Sequence, residues 1–178
     1  KENLSKSYGI LGETENGVQS SFAVLSEENI CKMPMHLNFI EASSMQLVFM
    51  TAYQMLVTRA DLQPSNNVLI YGGSSGIGSA AIQIAKDVGS YVIATAGNKE
   101  KEKHSYEMGA DAVVMHYNNP KFVEQVKSLT KNKLCDVVFE HVGINTWDKS
   151  MKCLSRGGRI VTCGATSGAN VQIDLRYL

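Results

Sequence analysis

Val68-Leu69-Ile70-Tyr71-Gly72-Gly73-Ser74-Ser75-Gly76-Ile77-Gly78-Ser79-Ala80 runs from a short apolar strand, through glycines and serines, into a helix. That order describes a cradle for the pyrophosphate of a dinucleotide. Gly72 and Gly73 are expected to carry the tight turn out of the strand, Gly76 to let backbone N–H groups approach phosphate, and Gly78 to let the helix pack close to the sheet. Ser74 and Ser75 add hydroxyl donors, and the helix aims its unpaired N–H groups and the positive end of its dipole at the same place. Ile77, Ala81, Ile84, Ala85 and Val88 recur at helical spacing and predict the face that meets the sheet. A second apolar strand, Tyr91-Val92-Ile93-Ala94-Thr95, follows. An ordinary strand-to-helix turn can share the glycines. The strand, amphipathic helix and second strand within about 30 residues are the context that a nucleotide site requires.

Outward from this unit the alternation continues. A helix is expected over Lys99 to Met108 with Gly109 as its C-terminal cap, then a strand over Val113 to His116, then a helix opening at Pro120 as a first-turn residue. Val137-Val138-Phe139 reads as a fourth strand, a helix carrying Trp147, Met151 and Leu154 follows, and Ile160-Val161-Thr162-Cys163 reads as a fifth strand. Near-continuous apolar strands alternating with helices predict an α/β fold, a doubly wound parallel sheet covered on both faces.

The first 65 residues differ. Ser20 to Leu25 and Ile30 to Met33 read as short strands, and Asn38 with Glu41 three residues later suggests a capping box for a helix over residues 39 to 59. The expected organisation is a β-rich remnant of another domain over residues 1–36, a linking helical segment over 37–65 and a nucleotide-binding domain over 66–178. The stop at Leu178, just after Val171-Gln172-Ile173-Asp174, leads to the expectation of a fragment of a longer protein.

Of 178 residues, 17 are Lys or Arg and 17 are Asp or Glu, a balance that gives no electrostatic reason to expect nucleic acid or an anionic membrane as partner. No apolar run reaches the length of a membrane span and no signal-peptide layout opens the chain, so a cytoplasmic protein is expected. Cys31, Cys135, Cys153 and Cys163 lack C-x-x-C spacing and read as buried free thiols. His36, His104, His116 and His141 form no metal-binding pattern.

Met50-Thr51-Ala52-Tyr53-Gln54, the glycine turn through Lys86, Ala94-Thr95-Ala96-Gly97-Asn98, Met108-Gly109-Ala110-Asp111, Gly157-Gly158-Arg159-Ile160 and Gly164-Ala165 stand in an order and spacing that resembles the medium-chain dehydrogenase/reductase superfamily. The closest branch is the quinone oxidoreductase and zinc-type alcohol dehydrogenase-like group. The resemblance covers nearly the whole chain. It implies a Rossmann nucleotide-binding domain preceded by the end of a GroES-like catalytic domain. It further implies homo-oligomerisation of the full-length protein through a last strand that this chain lacks or barely begins.

An NAD-preferring site places Asp or Glu about 20 residues after the glycine turn to hold the ribose 2′-hydroxyl. Here Ala96-Gly97-Asn98 is neutral and Lys99, Lys101 and Lys103 lie just beyond, which favours NADP over NAD. The alternating signs of Lys99-Glu100-Lys101-Glu102-Lys103 would equally suit a solvated helix face. By resemblance, Lys101 and Tyr117 contact the adenosine phosphate, Thr51 packs near the nicotinamide, the His141-Val142-Gly143 turn approaches the ribose and Gly164-Ala165 the carboxamide. The expected cofactor-binding set is therefore Thr51, Ser74, Ser75, Gly76, Ile77, Gly78, Gly97, Asn98, Lys101, Tyr117, Val142, Gly143, Gly164 and Ala165, with no catalytic residue assigned. His141 reads better as a packed or ribose-contacting residue than as a general acid. The resemblance speaks against zinc. A ligand position four residues before Thr51 is Leu47, and the fourth cysteine of the structural lobe is replaced by Ser5.

Tyr117-Asn118-Asn119-Pro120-Lys121 matches the short-chain family's Tyr-x-x-x-Lys in letters. Pro120 denies the continuous helix which that pair needs. The function implied is reduction of a quinone, enone or small carbonyl, a small-molecule substrate, by hydride from NADPH without zinc. The alternatives are a non-catalytic NADPH-binding or structural module and a zinc-dependent alcohol dehydrogenase.

Overall fold

The structure is a computed structural model that describes residues 9–177. The chain divides into two units, residues 1–38 and 39–178. In the described part of the first, the expected strands over Ser20–Leu25 and Ile30–Met33 do not form. The segment holds a turn closed by an isolated bridge between Leu11 and Glu15 and one 3₁₀ turn, Glu27–Asn29. Phe22 and Val24, which would be the inward side chains of a strand, are almost fully exposed. With no neighbouring strand to take their backbone groups, residues with strand propensity stay extended and unpaired.

The second unit opens with helix α1 (Phe39–Tyr53), continued by a π-helical turn over Gln54–Arg59. Five strands follow: β1 (Asn67–Ile70), β2 (Tyr91–Ala96), β3 (Ala112–Met115), β4 (Cys135–Glu140) and β5 (Leu154–Thr162). The helices between them are α2 (Gly76–Val88), α3 (Lys99–Glu107), α4 (Phe122–Leu129) and α5 (Trp147–Cys153). All strand pairs are parallel and the spatial order is β3-β2-β1-β4-β5. This is the doubly wound Rossmann arrangement, with the strand order reversing direction beside β1.

Side chains alternate across the sheet. Val68, Ile70, Val92, Ala94, Val137 and Phe139 join α1 and α2 in one core. Leu69, Tyr71, Ile93 and Val138 join Phe122 and Val126 of α4 and Cys153 of α5 in the other. Two positions fix how α2 leaves β1. Gly72 has φ +60°, a conformation that a side chain disfavours, and a Cβ at Gly78 would overlap the Gly72 carbonyl. Gly73 has no positive φ and is constrained by Ser105 and Ala94, and a Cβ at Gly76 would press on Val48 of α1.

Two boundaries and the exposure of two cysteines also depart from expectation. Pro120 lies in the turn ahead of α4, which begins at Phe122 because Asn119 Oδ1 caps the Lys121 N–H from outside the helix. Leu154 begins β5 rather than ending α5. Cys135 and Cys153 are buried free thiols as expected, whereas Cys31 and Cys163 are exposed, Cys163 standing just past the end of the edge strand β5.

Gly78→Ala is expected to lower the unfolding free energy by about 1–3 kcal/mol, the usual cost of an overpacked contact. Urea denaturation of the two proteins measures it, and an unchanged midpoint would mean that α2 can retreat from β1 freely.

Candidate functional site

A cleft of about 630 Å³ opens over the carboxyl ends of the strands, where open parallel sheets bind ligands. Its floor is the β1–α2 turn. Thr95, fully buried at the end of β2, ties that turn down: its Oγ1 accepts from the Gly72 N–H at 3.0 Å and its carbonyl from the Gly73 N–H at 3.0 Å. Ser75 caps α2, its Oγ accepting from the Gly78 N–H at 3.0 Å. With Ser75 Oγ already engaged in this way, Ser74 is the serine whose hydroxyl has no such capping duty.

Of the expected residues, the fold brings Ser74, Ser75, Gly97, Lys101, Tyr117 and Val142 to the lining of this cleft. Tyr117 is exposed and leans on Gly97, where a Cβ would collide with its ring. Asn98 works one step behind, capping α3 through Oδ1 and the Lys101 N–H at 2.9 Å, and so setting where the Lys101 side chain starts. Gly76, Ile77 and Gly78 form the first turn of α2 beneath the lining. Gly143 is buried behind Val142, and Gly164 and Ala165 sit in the loop after β5 packed against His141 and Gly143. Thr51 is on α1, away from the lining, with its hydroxyl donated to the Leu47 carbonyl at 2.8 Å.

The lysine ambiguity on α3 resolves geometrically. Lys99 pairs with Glu102 at 2.7 Å and Lys103 with Glu107 at 3.7 Å, both on the outer face. Lys101 has no carboxylate within ion-pair distance among the described residues and lines the cleft. Sequence reasoning missed the opposite wall: Asn145, Thr146 and Lys149 at the start of α5, Thr166 and Ser167 in the loop after β5, and His116 at the end of β3. Their common signal is position, since each follows the carboxyl end of a strand. None of the residues lining the cleft is an Asp or Glu.

Glu140 stands ahead of this wall in the chain and faces inward. It is fully buried at the end of β4 and receives four donors. Oε1 accepts from the N–H groups of Val142 and Gly143 at 2.6 and 3.2 Å. Oε2 accepts from the Thr146 and Ser150 hydroxyls at 2.9 and 2.7 Å. A carboxylate with such a complement folds the β4–α5 turn around itself and aims Val142 and the first turn of α5 at the cleft. His141 is packed rather than free: its Nε2 donates to the Tyr71 carbonyl at 2.9 Å, which joins the ends of β4 and β1. His116 is half-buried, and its Nδ1 is buried without a hydrogen-bond partner. Burial depresses its pKa first, the hydrogen bond with the Ala96 backbone opposes this, and the nearby Lys149 and Lys101 cations depress it further.

A sequence profile described as zinc-binding dehydrogenase matches residues 76–178. The chain belongs to that family, within the medium-chain dehydrogenase/reductase superfamily. It is 34% identical over 184 residues to crotonyl-CoA reductase of Streptomyces collinus, covering 93% of this chain and 41% of that protein. It is 30% identical to quinone oxidoreductase 1 of Escherichia coli, covering 95% and 51%. A solved structure described as an NAD-dependent alcohol dehydrogenase superposes with TM-score 0.92 at 38% identity over 98% of this chain and 51% of its own. The Escherichia coli quinone oxidoreductase complexed with NADPH superposes with TM-score 0.73 at 32% identity over 82% and 44%. The chain thus spans about half the length of the medium-chain relatives it matches.

The zinc in the family's description finds no fit among the described residues, which contain no group of three His, Cys, Asp or Glu able to hold a metal. Leu47, the ligand position by resemblance, is an exposed aliphatic side chain of α1. Ser5 lies outside the described residues. No helix among the described residues is long and apolar enough to cross a membrane.

Two outcomes are expected from this geometry. Glu140→Ala strands the Val142 and Gly143 N–H groups, while the Thr146 and Ser150 hydroxyls can turn to the Gly143 and Thr146 carbonyls, so at about 1–3 kcal/mol for each unsatisfied group a loss of at least about 2 kcal/mol in unfolding free energy is expected, with Glu140→Gln losing less. Chemical denaturation reads both, and a neutral Glu140→Ala would remove Glu140 as the turn's anchor. For His116 the folded pKa lies below the unfolded one. The unfolded chain then binds the extra proton, and stability rises with pH through the window from the lowered value to the ordinary value of 6.5. His116→Gln should flatten the thermal midpoint against pH in that window and leave it unchanged above about pH 7.5.

Proposed function

We propose that this chain is the dinucleotide-binding portion of an NADPH-dependent oxidoreductase that reduces a quinone, enone or small carbonyl. The observation that carries the reading is Lys101, which among the described residues has no carboxylate within ion-pair distance and lines a cleft with no Asp or Glu in its lining. A 2′-phosphate in that position meets attraction and no repulsion, whereas the ribose diol of NADH lacks the acid that would hold it. Of the structures resembling this chain, one is described as NAD-dependent and another as an NADPH complex; the neutral end of β2 favours the second as the guide to its cofactor.

In this reading Ser74, Ser75 and the first turn of α2, Gly76 to Gly78, face the pyrophosphate with hydroxyl and N–H donors and the helix dipole. Gly97, Asn98, Lys101 and Tyr117 form the adenosine-phosphate end. Val142 and Gly143 approach a ribose, Gly164 and Ala165 the carboxamide, and Thr51 the nicotinamide. NADPH supplies the hydride when bound. The chain supplies orientation, the positive field around the phosphates and the exclusion of competing anions. With an aliphatic Leu47 at the position that the resemblance assigns to a zinc ligand, an acceptor that is already electrophilic suits the chemistry better than simple alcohol oxidation. The organisation proposed is the end of a GroES-like domain over residues 1–36, a linking segment over 37–65 and the nucleotide domain over 66–178. A cytoplasmic, homo-oligomeric full-length enzyme with a small-molecule substrate fits this reading. A non-catalytic NADPH-binding module is the second reading, favoured by the lack of a nameable proton donor around the cleft.

Titration of nicotinamide fluorescence with NADPH and with NADH tests the proposal. NADPH is expected to bind more tightly. Lys101→Ala should weaken NADPH by about 10-fold or more, the worth of a charged hydrogen bond, and change NADH little. Equal affinity for the two dinucleotides, untouched by Lys101→Ala, would overturn the assignment. Turnover of an enone or quinone by the full-length protein separates the enzyme from the binding module.

A further inference from the structure

The wall opposite Lys101 carries a second cation that the sequence does not advertise. Lys149 rises from the first turn of α5, is half-buried, and places its Nζ 5.6 Å from the centroid of the Phe122 ring on α4. Its neighbours on the same helix are spoken for. Asp148 pairs with Lys152 at 2.7 Å, and among the described residues Lys149 has no carboxylate within ion-pair distance. A lysine held over an aromatic face, with no carboxylate within ion-pair distance among the described residues, presents its ammonium to whatever fills the adjoining space. Lys149 lines the cleft together with Lys101, and on its other side a second cavity lined by Phe122 and Asp148.

His116 lines the same cleft as the two lysines. It sits at the end of β3 with its ring 4.0 Å from that of Tyr117, and both lysines act on it electrostatically. Lys101 from α3 and Lys149 from α5 therefore flank one short segment, His116-Tyr117-Asn118, all three residues of which line the cleft. The Glu140 network supports the arrangement from behind, because Thr146 and Ser150, one on each side of Lys149 in the chain, are both bonded to that buried carboxylate.

We propose that Lys149 is a specificity-determining residue of the adenosine-phosphate subsite, closing on the 2′-phosphate of NADPH from the side opposite Lys101. The proposal rests on the cofactor reading above and extends it to a residue on a different helix. A phosphate gripped from two sides by lysines that lack acidic partners gains affinity from each, and a ligand with a bare 2′-hydroxyl gains from neither.

The test measures dissociation constants of the whole chain for NADPH, NADH and the fragment 2′,5′-ADP. The proteins are wild type, Lys101→Ala, Lys149→Met and Lys149→Arg. Methionine keeps an unbranched stem over Phe122 and removes the charge; arginine restores the charge. Lys149→Met is expected to weaken NADPH and 2′,5′-ADP by about 5- to 10-fold and NADH by less than about twofold, with Lys149→Arg close to wild type. Two results would overturn the role of Lys149 while leaving the cofactor reading intact. One is wild-type-like NADPH binding by Lys149→Met beside a weakened Lys101→Ala. The other is an equal loss for NADPH and NADH, which would make Lys149 a contact to the common part of the dinucleotide. Wild type that binds neither NADPH nor 2′,5′-ADP would overturn both.

Discussion

Everything around the cleft depends on how closely α2 approaches the end of β1. The absence of a side chain at Gly78 lets the first turn of the helix sit against the Gly72 carbonyl, and Thr95 then fastens the intervening turn to β2 through both its hydroxyl and its carbonyl. The helix N-terminus is thereby held over the gap between β1 and β2, with its free N–H groups directed into the opening. A helix displaced outward by one methyl group would carry those donors with it, and Ser75, whose hydroxyl caps the helix, would follow. Close packing and anion binding are two consequences of the same contact.

The electrostatics of the opening come from how charge is sorted. The chain as a whole is neutral, yet the acids near the cleft are turned away or consumed: Glu102 and Glu107 by lysines on the outer face of α3, Asp148 by Lys152, and Glu140 by four donors in the interior. What remains facing the cleft is Lys101, Lys149, a neutral imidazole and a set of hydroxyl and amide groups. In the proposed reading, specificity for a phosphorylated ribose comes as much from the missing acid at Gly97-Asn98 as from the lysines present, since discrimination is a difference between two affinities.

Much of this was legible in the residues themselves. The apolar strands, the glycine turn, the neutral end of β2 and the alternating helices all announce themselves locally, because a buried parallel sheet requires near-continuous apolar runs and the turn requires glycine. The two expected strands ahead of α1 were misread for the opposite reason. Strand propensity in Ser20–Leu25 and Ile30–Met33 is real, but a strand exists only through its neighbour, and propensity cannot say whether one is there. The far wall of the cleft was illegible in another way. His116, Asn145 and Lys149 carry no motif, and only the order β3-β2-β1-β4-β5 brings the ends of β3 and β4 to the same opening.

Lys101 shows where local reading stops and packing decides. In sequence it is one of three lysines alternating with two glutamates, a pattern indistinguishable from a solvated face. In the fold, the Asn98 cap fixes the start of α3 at Lys99, and the helical repeat then sends Lys99 and Lys103 outward to Glu102 and Glu107 while Lys101 turns toward the cleft. Moving the cap by one residue would rotate the helix by about 100° and bring Glu100 or Glu102 to the place of Lys101. In the proposed cofactor reading, the amide of Asn98 thus bears on discrimination through register, although it does not line the cleft.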